Sequence, residues 1–483
     1  MIFVVLNFMK KLLLLLLLIC KSVVFSQTVL ASFPLDLKKG DEQNQILNVE
    51  NTLTHDVFVF AATTENITIL KYNSALFLND QFSFPKTNLE NRSLAGYSFG
   101  EDGNPSLYWA SEDFKDFIIV KYYLETKTFK MLKFNFPLTK HYIVNFFQKN
   151  NAFYILAKAH EDQILVVYIF KNGTVEEKSF DFASFQFENE KKQNFTFNRI
   201  IREDPIEKIE TNDFAPLDIS AKKSKAYLVN DHLILTLDYN PKKTQVFDLD
   251  IENHTINEKN FTQSLNEYSN KISNSFFADD KVYQINANKY ALSFEIKDYK
   301  SGKSIKDFKV TKNDTIKFKN SPLLLQNGDR NPTELKKTSQ FLNQLVFLNI
   351  GISAFKNRQN TVITIGGTPK EENFYQYYEG GFAPITSEVS VYFESTMNNN
   401  LEFIKEQQQP LAMDNIYYFL SLQKKIDYQN IFKFKEYYIL GYYDNTTKQY
   451  VMRKFTDGFI QPDITNPIIN KAIFSRSFPA EKP

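Results

Sequence analysis

Hydrophobic and polar residues alternate in a repeating pattern of short runs along most of the chain. The clearest example lies between His141 and Phe182, where four runs rich in Ile, Val, Phe and Tyr are separated by three polar turns. Runs of this length, cut by Asn, Asp and Gly, are typical of antiparallel strands joined by hairpins. The turns are Lys149-Asn150-Asn151, His160-Glu161-Asp162 and Lys171-Asn172-Gly173.

Seven modules of this kind are predicted along the chain, each built from short runs separated by polar turns. A single four-stranded sheet cannot bury both of its faces, so such units stack against copies of themselves. The pattern therefore predicts an all-β fold in which residues 27–483 form one repeat-built domain. The predicted modules begin near Ile46, Ser93, His141, Lys225, Ser273, Val346 and Asn415.

The two ends of this region complement each other. The last module offers three predicted strands, NIYYFLSL from Asn415, EYYILGYY from Glu436 and KQYVMRKF from Lys448, without an obvious fourth. The segment Thr28–Leu35 is a strand candidate that has no partner nearby in the sequence. In a ring of stacked sheets, this N-terminal strand would complete the last module and close the circle.

The chain therefore resembles the β-propeller superfamily, and the repeats imply a seven-bladed ring closed by the N-terminal strand. The resemblance rests on periodicity, because the Trp-Asp pairs of WD40 repeats are absent and Trp109, the single tryptophan, precedes Ala110. The chain is also similar to uncharacterised exported propeller-like proteins of bacteria. The resemblance implies that loops on one face of the ring would bind a partner.

Three segments, at about 187–223, 311–345 and 368–386, interrupt the modules. The first is polar and aperiodic, which predicts a surface excursion that could hold a short helix. In the second, Asn331 and Pro332 indicate the start of a short helix over about 331–345. The third holds a Tyr- and Gly-rich loop, after which NLEFIKE from Asn400 is predicted to contribute the last strand of its module. The buried stripe of the helix is predicted to be Leu335, Ser339, Leu342 and Leu345.

The first 26 residues have the pattern of a secretory signal peptide. Lys10-Lys11 precedes the apolar run Leu12–Ile19, and a small-residue cleavage site precedes Gln27. We therefore expect an exported protein of the periplasm, the cell surface or the extracellular space, without a transmembrane anchor. Lipoprotein anchoring through Cys20 is disfavoured, because Ile19 is bulky where such signals have a small residue.

The charge balance, with 57 basic and 56 acidic residues, gives no concentrated basic face for nucleic acid. The five histidines form no close pair that would bind zinc, and Asp279-Asp280 lacks the ligand spacing of a calcium loop. A hairpin turn explains that acidic pair. We predict no metal, no cofactor and a monomeric protein. The histidines are His55, His141, His160, His232 and His254.

The segment from Gly96 to Gly100, GYSFG, matches the G-x-S-x-G pattern of a hydrolase nucleophile elbow. That chemistry needs a hydrophobic strand before the serine and a helix after it. The preceding residues are polar, and Gly103 and Pro105 prevent a helix from following. We therefore predict that Ser98 lies within a strand and is not catalytic, so no catalytic residue is predicted.

The inserted loop between Phe374 and Pro384 is the strongest binding candidate in the sequence. Its tyrosines supply amphipathic surface at low entropic cost, and its glycines allow a partner to approach the backbone. The alternative is that the tyrosines pack the insertion onto its own sheet. The candidate binding residues are Tyr375, Tyr377, Tyr378, Gly380 and Gly381.

Three functional hypotheses follow from the sequence. The first is a non-catalytic exported propeller that binds a protein or glycan partner through loops on one face. The second is a glycan hydrolase or lyase whose carboxylates gather at the central channel. The third is an outer-membrane β-barrel. The short strands and the C-terminal sequence Pro-Ala-Glu-Lys-Pro argue against it.

Overall fold

The computed structural model describes residues 28–37, 43–211, 213–264, 272–328, 330–357, 360–370, 389–405 and 409–458, and the backbone of 375–378 and 381–384. The predicted signal peptide lies outside these residues. No helix in the described part of the chain is both long and apolar enough to cross a membrane.

The N-terminal strand β1 (Thr28–Pro34) is followed by three antiparallel sheets, each formed by four consecutive strands. The meander predicted between His141 and Phe182 is the third of these sheets. The first sheet contains β2 (Gln45–Glu50), β3 (Val57–Ala62), β4 (Asn66–Tyr72) and β5 (Leu78–Pro85). The second contains β6 (Arg92–Phe99), β7 (Pro105–Ser111), β8 (Asp116–Tyr123) and β9 (Thr128–Asn135). The third contains β10 (His141–Lys149), β11 (Ala152–Ala159), β12 (Ile164–Lys171) and β13 (Thr174–Asp181).

The predicted surface excursion after the third sheet is instead largely structured. It forms β14 (Phe187–Glu188), β15 (Asn194–Phe195), α1 (Phe197–Glu203), β16 (Ile206–Ile209) and α2 (Leu217–Ser220). The fourth sheet follows with β17 (Ser224–Val229), β18 (His232–Leu237), β19 (Lys243–Asp250) and β20 (Thr255–Thr262), and β16 pairs in parallel with β17 as a fifth strand.

The segment is more ordered than predicted, because its apolar residues are few but well placed. Phe197, Ile200 and Ile206 are all at most 3% exposed, and they belong to the core shared by the third and fourth sheets. The Thr196 hydroxyl starts α1 by accepting a hydrogen bond from the backbone N–H of Arg199 at 3.2 Å.

The fifth sheet is again a meander, and the sixth takes strands from both sides of its hairpin. The fifth contains β21 (Ile272–Ala278), β22 (Lys281–Ala287), β23 (Ala291–Asp298) and β24 (Ser304–Thr311). Next come β25 (Leu323–Asn327), β26 (Thr333–Leu335), α3 (Thr338–Leu345), β27 (Asn349–Asn357), β28 (Asn360–Thr368), β29 (Tyr375–Tyr378), β30 (Gly381–Pro384) and β31 (Val389–Asn398). The order of the sixth sheet is β26-β25-β31-β28-β27.

One prediction for this region was wrong, and the helix prediction was correct only in part. The place expected for NLEFIKE is taken by β25, which precedes the hairpin, and the predicted strand makes only an isolated bridge between Phe403 and Met397. The helix expected from Asn331 begins at Thr338, because residues 333–335 pair with β25. Its buried face includes Leu342 and Leu345 as predicted, together with Phe341.

The last elements are α4 (Ala412–Leu422), β32 (Ile426–Phe434), β33 (Tyr437–Asp444) and β34 (Gln449–Phe455). The strand predicted at Asn415 was therefore wrong, and the residues form α4. Ile416 and Phe419 lie three residues apart and pack against Leu440 and Phe455, which is a helical spacing. The N-terminal strand β1 pairs antiparallel with β34, which gives the sheet order β1-β34-β33-β32.

The described residues thus contain seven sheets of four or five strands. They belong to two compact units, one of residues 28–88 and 409–458 and one of residues 89–405. In the first unit, the first and last sheets share a core that includes Val59, Leu70, Ile439 and Met452. The seven-bladed closed ring stays a prediction, as does its single-domain organisation.

In the second unit, side-chain amides link the first strands of neighbouring sheets. Gln148 of β10 pairs with the backbone of Tyr97 in β6, donating to its carbonyl at 2.9 Å and accepting from its N–H at 3.2 Å. Asn145 of β10 donates to the carbonyl of Ile206 in β16 at 2.9 Å. Asn274 of β21 donates to the carbonyl of Ile350 in β27 at 2.7 Å.

A buried ion pair lies at the junction of the fourth, fifth and sixth sheets. The side chains of Lys225 and Asp238 are 0% exposed, with the ammonium 3.2 Å from the carboxylate. Lys225 also donates to the amide oxygen of Asn274 at 2.7 Å, and Asp238 accepts from the Ser275 hydroxyl at 2.8 Å. Burial lowers the pKa of Lys225, and the charge of Asp238 opposes this shift. The charged pair is therefore tolerated because each member is hydrogen-bonded.

Replacing Lys225 by Met should lower the free energy of unfolding by about 3 kcal/mol, because it leaves the Asp238 carboxylate buried without its countercharge. The double variant K225M/D238N should recover at least half of this loss. Urea unfolding measures both effects, with K309M as the control because the Lys309 side chain is 60% exposed. Equal losses in K225M and K309M would contradict the role of the pair.

Candidate functional site

A cavity of about 310 Å³ opens in the second unit where one strand from each of four successive sheets ends. The third, fourth, fifth and sixth sheets contribute Lys149 of β10, Val229 of β17, Ala278 of β21 and Lys356 of β27. In the third, fourth and fifth sheets, a two-residue turn follows and leads into the next strand. The cavity is therefore framed by hairpins that the repeat places at the same end of neighbouring sheets.

Two of the hairpins at this end, those after β10 and β21, have a defined backbone conformation. Asn150 and Asn151 have φ angles of 47° and 59°, and Asp279 and Asp280 have φ angles of 49° and 53°. Positive φ at both central residues is characteristic of type I′ turns, which match the twist of the flanking strands and favour Asn and Asp. The prediction that Asp279-Asp280 forms a hairpin turn is thus confirmed.

Aromatic side chains form the inner wall of the cavity. Tyr227, Phe276, Phe277 and Tyr283 are at most 4% exposed, so mainly the edges of this wall are accessible. The backbone N–H of Phe277 donates to the Tyr227 hydroxyl at 3.2 Å, which connects the fourth and fifth sheets. Burial raises the pKa values of Tyr227 and Tyr283, so both hydroxyls stay neutral and the wall carries no charge.

Charged side chains surround this wall. The Lys149 ammonium donates to the Thr211 hydroxyl at 3.1 Å, and that hydroxyl donates to the carbonyl of Leu228 at 3.1 Å. Burial lowers the pKa of Lys149, and the nearby charge of Glu210 opposes the shift. The Lys356 ammonium lies 3.3 Å from the Asp279 carboxylate. The rim can therefore recognise a ligand that carries charge next to an apolar group.

The cavity was not identified from the sequence, because its residues extend from Lys149 to Thr361. The available signal was the recurrence of Asn or Asp immediately after β10, β17 and β21, at Asn150, Asn230 and Asp279. Among the described residues, no group of three or more His, Cys, Asp or Glu side chains is placed to hold a metal ion.

The Tyr-rich loop predicted to bind a partner forms a two-stranded hairpin, in which Tyr375 pairs with Pro384 and Tyr378 with Gly381. Gly380 and the side chains of Tyr375, Tyr377 and Tyr378 lie outside the described residues. The loop connects the end of β28 at Thr368 to the start of β31. Thr368 pairs with Asn349, at the end of the sheet away from the cavity. The predicted site stays a prediction, and it belongs to a different end of the sheet.

Ser98 lies within β6, as predicted, and is fully buried. Its hydroxyl oxygen is 2.6 Å from the Tyr108 hydroxyl on the adjacent strand. A Cβ atom at Gly96 would overlap the ring of Phe153, so glycine is needed there for packing. The G-x-S-x-G match is therefore explained by the junction of the second and third sheets.

The five histidines contact different groups, although His141 and His160 lie close together, since His141 pairs with Ala159 across β10 and β11. His232 is the most elaborate case: its Nδ1 is 2.7 Å from Asp248, whose other oxygen accepts from the Tyr299 hydroxyl at 3.1 Å. His232 follows directly after the hairpin turn at Asn230, which lines the cavity. The other contacts are His55 to Glu50, His141 to Tyr168, His160 to the carbonyl of Leu138, and His254 to the carbonyl of Ser179.

No protein-family model and no curated protein matches the chain. Solved structures similar to it include the WD40 domain of SCAP from fission yeast, with 11% identity, a TM-score of 0.27, and coverage of 89% of this chain and 98% of that one. The β-propeller domain of the Trilobed protease from Pyrococcus furiosus has 10% identity, a TM-score of 0.30, and coverage of 88% and 100%. The Dos1 propeller has 10% identity, a TM-score of 0.24, and coverage of 70% and 75%. These neighbours are β-propellers, as the sequence repeats led us to expect, and the likeness concerns the fold alone.

Replacing Ser98 by Ala should lower the free energy of unfolding by about 1 kcal/mol, because the buried Tyr108 hydroxyl loses a hydrogen-bond partner. S93A is the control, since Ser93 is exposed on the same strand. Chemical denaturation of both variants measures the difference. A hydrolase activity that disappears in S98A while stability stays unchanged would contradict the structural role.

Proposed function

We propose that this chain is an exported, non-catalytic binding protein built as a β-propeller, and that it holds a segment of a protein partner in the cavity framed by the hairpins. The observation that carries this proposal is the cavity itself, in which an aromatic wall meets a charged rim. Its volume of about 310 Å³ matches the lower end of ligand pockets and would accommodate one or two side chains.

The shape of the wall favours a polypeptide over a glycan. Sugar rings stack on exposed aromatic faces, whereas Tyr227, Phe276 and Tyr283 are at most 2% exposed. A side chain inserted from a peptide needs only a narrow opening, and charges beside that opening can pair with neighbouring residues of the peptide. The type I′ turns after β10 and β21 hold their parts of the rim in place before binding, which reduces the entropic cost of association.

The N-terminal segment supports the export part of this proposal. Its Lys10-Lys11 pair and apolar run are typical of a secretory signal, so the partner would be found in the periplasm, on the cell surface or outside the cell. The Tyr375–Tyr378 hairpin is a second proposed contact surface, at the other end of the sixth sheet.

A second candidate function is a glycan hydrolase or lyase, because four carboxylates line the same cavity: Glu210, Asp213, Asp279 and Asp280. Two of them are engaged in ion pairs, Asp279 with Lys356 at 3.3 Å and Glu210 with Lys208 at 2.7 Å. Neutralising pairs of this kind are better suited to holding a rim than to transferring protons. Depolymerisation of a glycan that is lost in D213N would favour the enzyme.

Filling the cavity should abolish partner capture. Ala278 lines the cavity, and its replacement by Trp would occupy much of the space. The purified wild-type protein and its variants would be used to capture proteins from the envelope and secreted fractions of the source cells, with quantification by mass spectrometry. We expect the partner to fall at least tenfold in A278W, because its inserted side chain is excluded.

Two variants serve as controls in this experiment. A183W introduces the same residue at an exposed turn, and Y375A/Y377A/Y378A removes the tyrosines of the inserted hairpin. Both should keep the partner that A278W loses. A partner that A278W retains and the tyrosine variant loses would place the binding surface on the hairpin instead.

A further inference from the structure

Two of the strands that frame the cavity stand at the edge of their sheets. β21 pairs only with β22, and β27 pairs only with β28, so each leaves one side of its backbone unpaired within its own sheet. We call the side of such a strand that faces away from its paired neighbour the inner edge. An edge strand presents a row of N–H and C=O groups to which another strand can pair. The hydrogen bonds at these edges therefore show whether the cavity can accept an extended segment.

Neighbouring side chains already occupy the inner edge of β21. The backbone N–H of Ser275 donates to the Asp238 carboxylate at 3.0 Å, and that of Phe277 donates to the Tyr227 hydroxyl at 3.2 Å. Ser275 and Phe277 lie two positions apart, which is the period at which the backbone groups of a strand point to the same side. These two N–H groups are therefore not available to a partner.

The fourth sheet shows that an extended segment can be added at this place. β16 pairs in parallel with β17, on the side of β17 that faces away from β18. The residues that follow β16, Glu210 and Thr211, line the cavity. A strand from the insertion therefore reaches the cavity along the edge of one sheet, and the edge of the sixth sheet lies on the same cavity.

The inner edge of β27 is open where it meets the cavity. The C=O of Ile350 accepts a hydrogen bond from the Asn274 side chain of β21 at 2.7 Å, so it points away from β28. The register between β27 and β28 has no shift. Residues at even spacings from Ile350 therefore point their backbone groups to the same side, and these include Ala354 and Lys356. Both residues line the cavity, and within the described part of the chain neither makes a backbone hydrogen bond on this side.

These open backbone groups favour a polypeptide ligand. Ala354 is 5% exposed, so its inward-facing N–H and C=O are shielded from most of the solvent. Leaving such groups unpaired costs free energy, which is regained when a ligand supplies both a donor and an acceptor. The backbone of an extended peptide supplies donors and acceptors in alternation, at the spacing of β27 itself.

We propose that the partner segment binds as an extended strand along the inner edge of β27 and exchanges backbone hydrogen bonds with Ala354 and Lys356. This inference rests on the proposed function, because it gives the conformation in which the segment occupies the binding site. Pairing through the backbone supplies affinity for many sequences, and the side chain that enters the cavity beside Ala278 supplies selectivity.

A phage library of random hexapeptides, panned on the wild-type protein and counter-selected on A278W, supplies a cavity-dependent peptide without knowledge of the partner. Synthetic copies of the strongest peptide are then N-methylated at one residue at a time, which removes one backbone donor and adds a methyl group that blocks strand pairing. We expect binding to weaken about tenfold at residues that pair with β27 and to change little at the residues between them, because the backbone groups of a strand alternate in direction. Isothermal titration calorimetry measures the Kd of each peptide.

Two substitutions at one position test the same pairing from the side of the protein. A354P removes the N–H that faces the cavity, and A354G retains it. Since this N–H points away from β28, proline leaves the hydrogen bonds between β27 and β28 in place. We expect A354P to bind the peptide about tenfold more weakly than A354G. Urea unfolding of both variants verifies that they fold, and if A354P does not fold, the N-methyl series decides alone.

The outcomes separate the two proposals. A peptide that binds the wild-type protein but not A278W, and whose N-methyl series shows no alternation, would overturn the extended strand and leave the binding function standing. Equal binding to folded A354P and to A354G would do the same. The absence of any peptide that distinguishes the wild-type protein from A278W would overturn both proposals.

Discussion

The structure depends on the burial of both faces of each four-stranded sheet, which a single sheet cannot achieve. In the second unit, cores are shared between the second and third, the third and fourth, and the fourth to sixth sheets. Aromatic residues such as Tyr108, Phe153 and Phe294 supply much of the buried area. Stacking of this kind explains why the chain repeats one module, since within the second unit each new sheet covers a face of the previous one.

The apolar cores set the stacking, and polar contacts near the first strands define how neighbouring sheets meet. Gln148, Asn145 and Asn274 each use a side-chain amide to satisfy backbone groups of an adjacent sheet. These contacts fix the first strands relative to one another, and the strand ends in turn position the hairpins around the cavity. The binding surface we propose is thus a consequence of how the sheets are joined.

Much of the strand content could be predicted from the sequence, because alternation and Asn- or Asp-containing turns are local signals. Elements that depend on tertiary contacts were missed: Ile206 lies on a strand that pairs in parallel with β17, and β25 joins the sixth sheet from upstream. The nearly continuous apolar residues from Asn415 predict a strand, but the packing of Ile416 and Phe419 against the last sheet selects a helix. The cavity could not be predicted, since residues more than 200 positions apart form it.

The central structural claim is that the first described strand and the last share one sheet, in the register that pairs Ser32 with Val451. Cys20 is the only cysteine of the chain, so cysteine pairs can be introduced in a C20S background without competing thiols. The most direct measurement is the extent of disulfide formation in S32C/V451C, compared with S32C/M452C, in which the second cysteine points to the opposite face of the strand. The account predicts rapid, near-complete cross-linking of the first pair and little of the second. Equal cross-linking of the two pairs, or none in S32C/V451C, would contradict it.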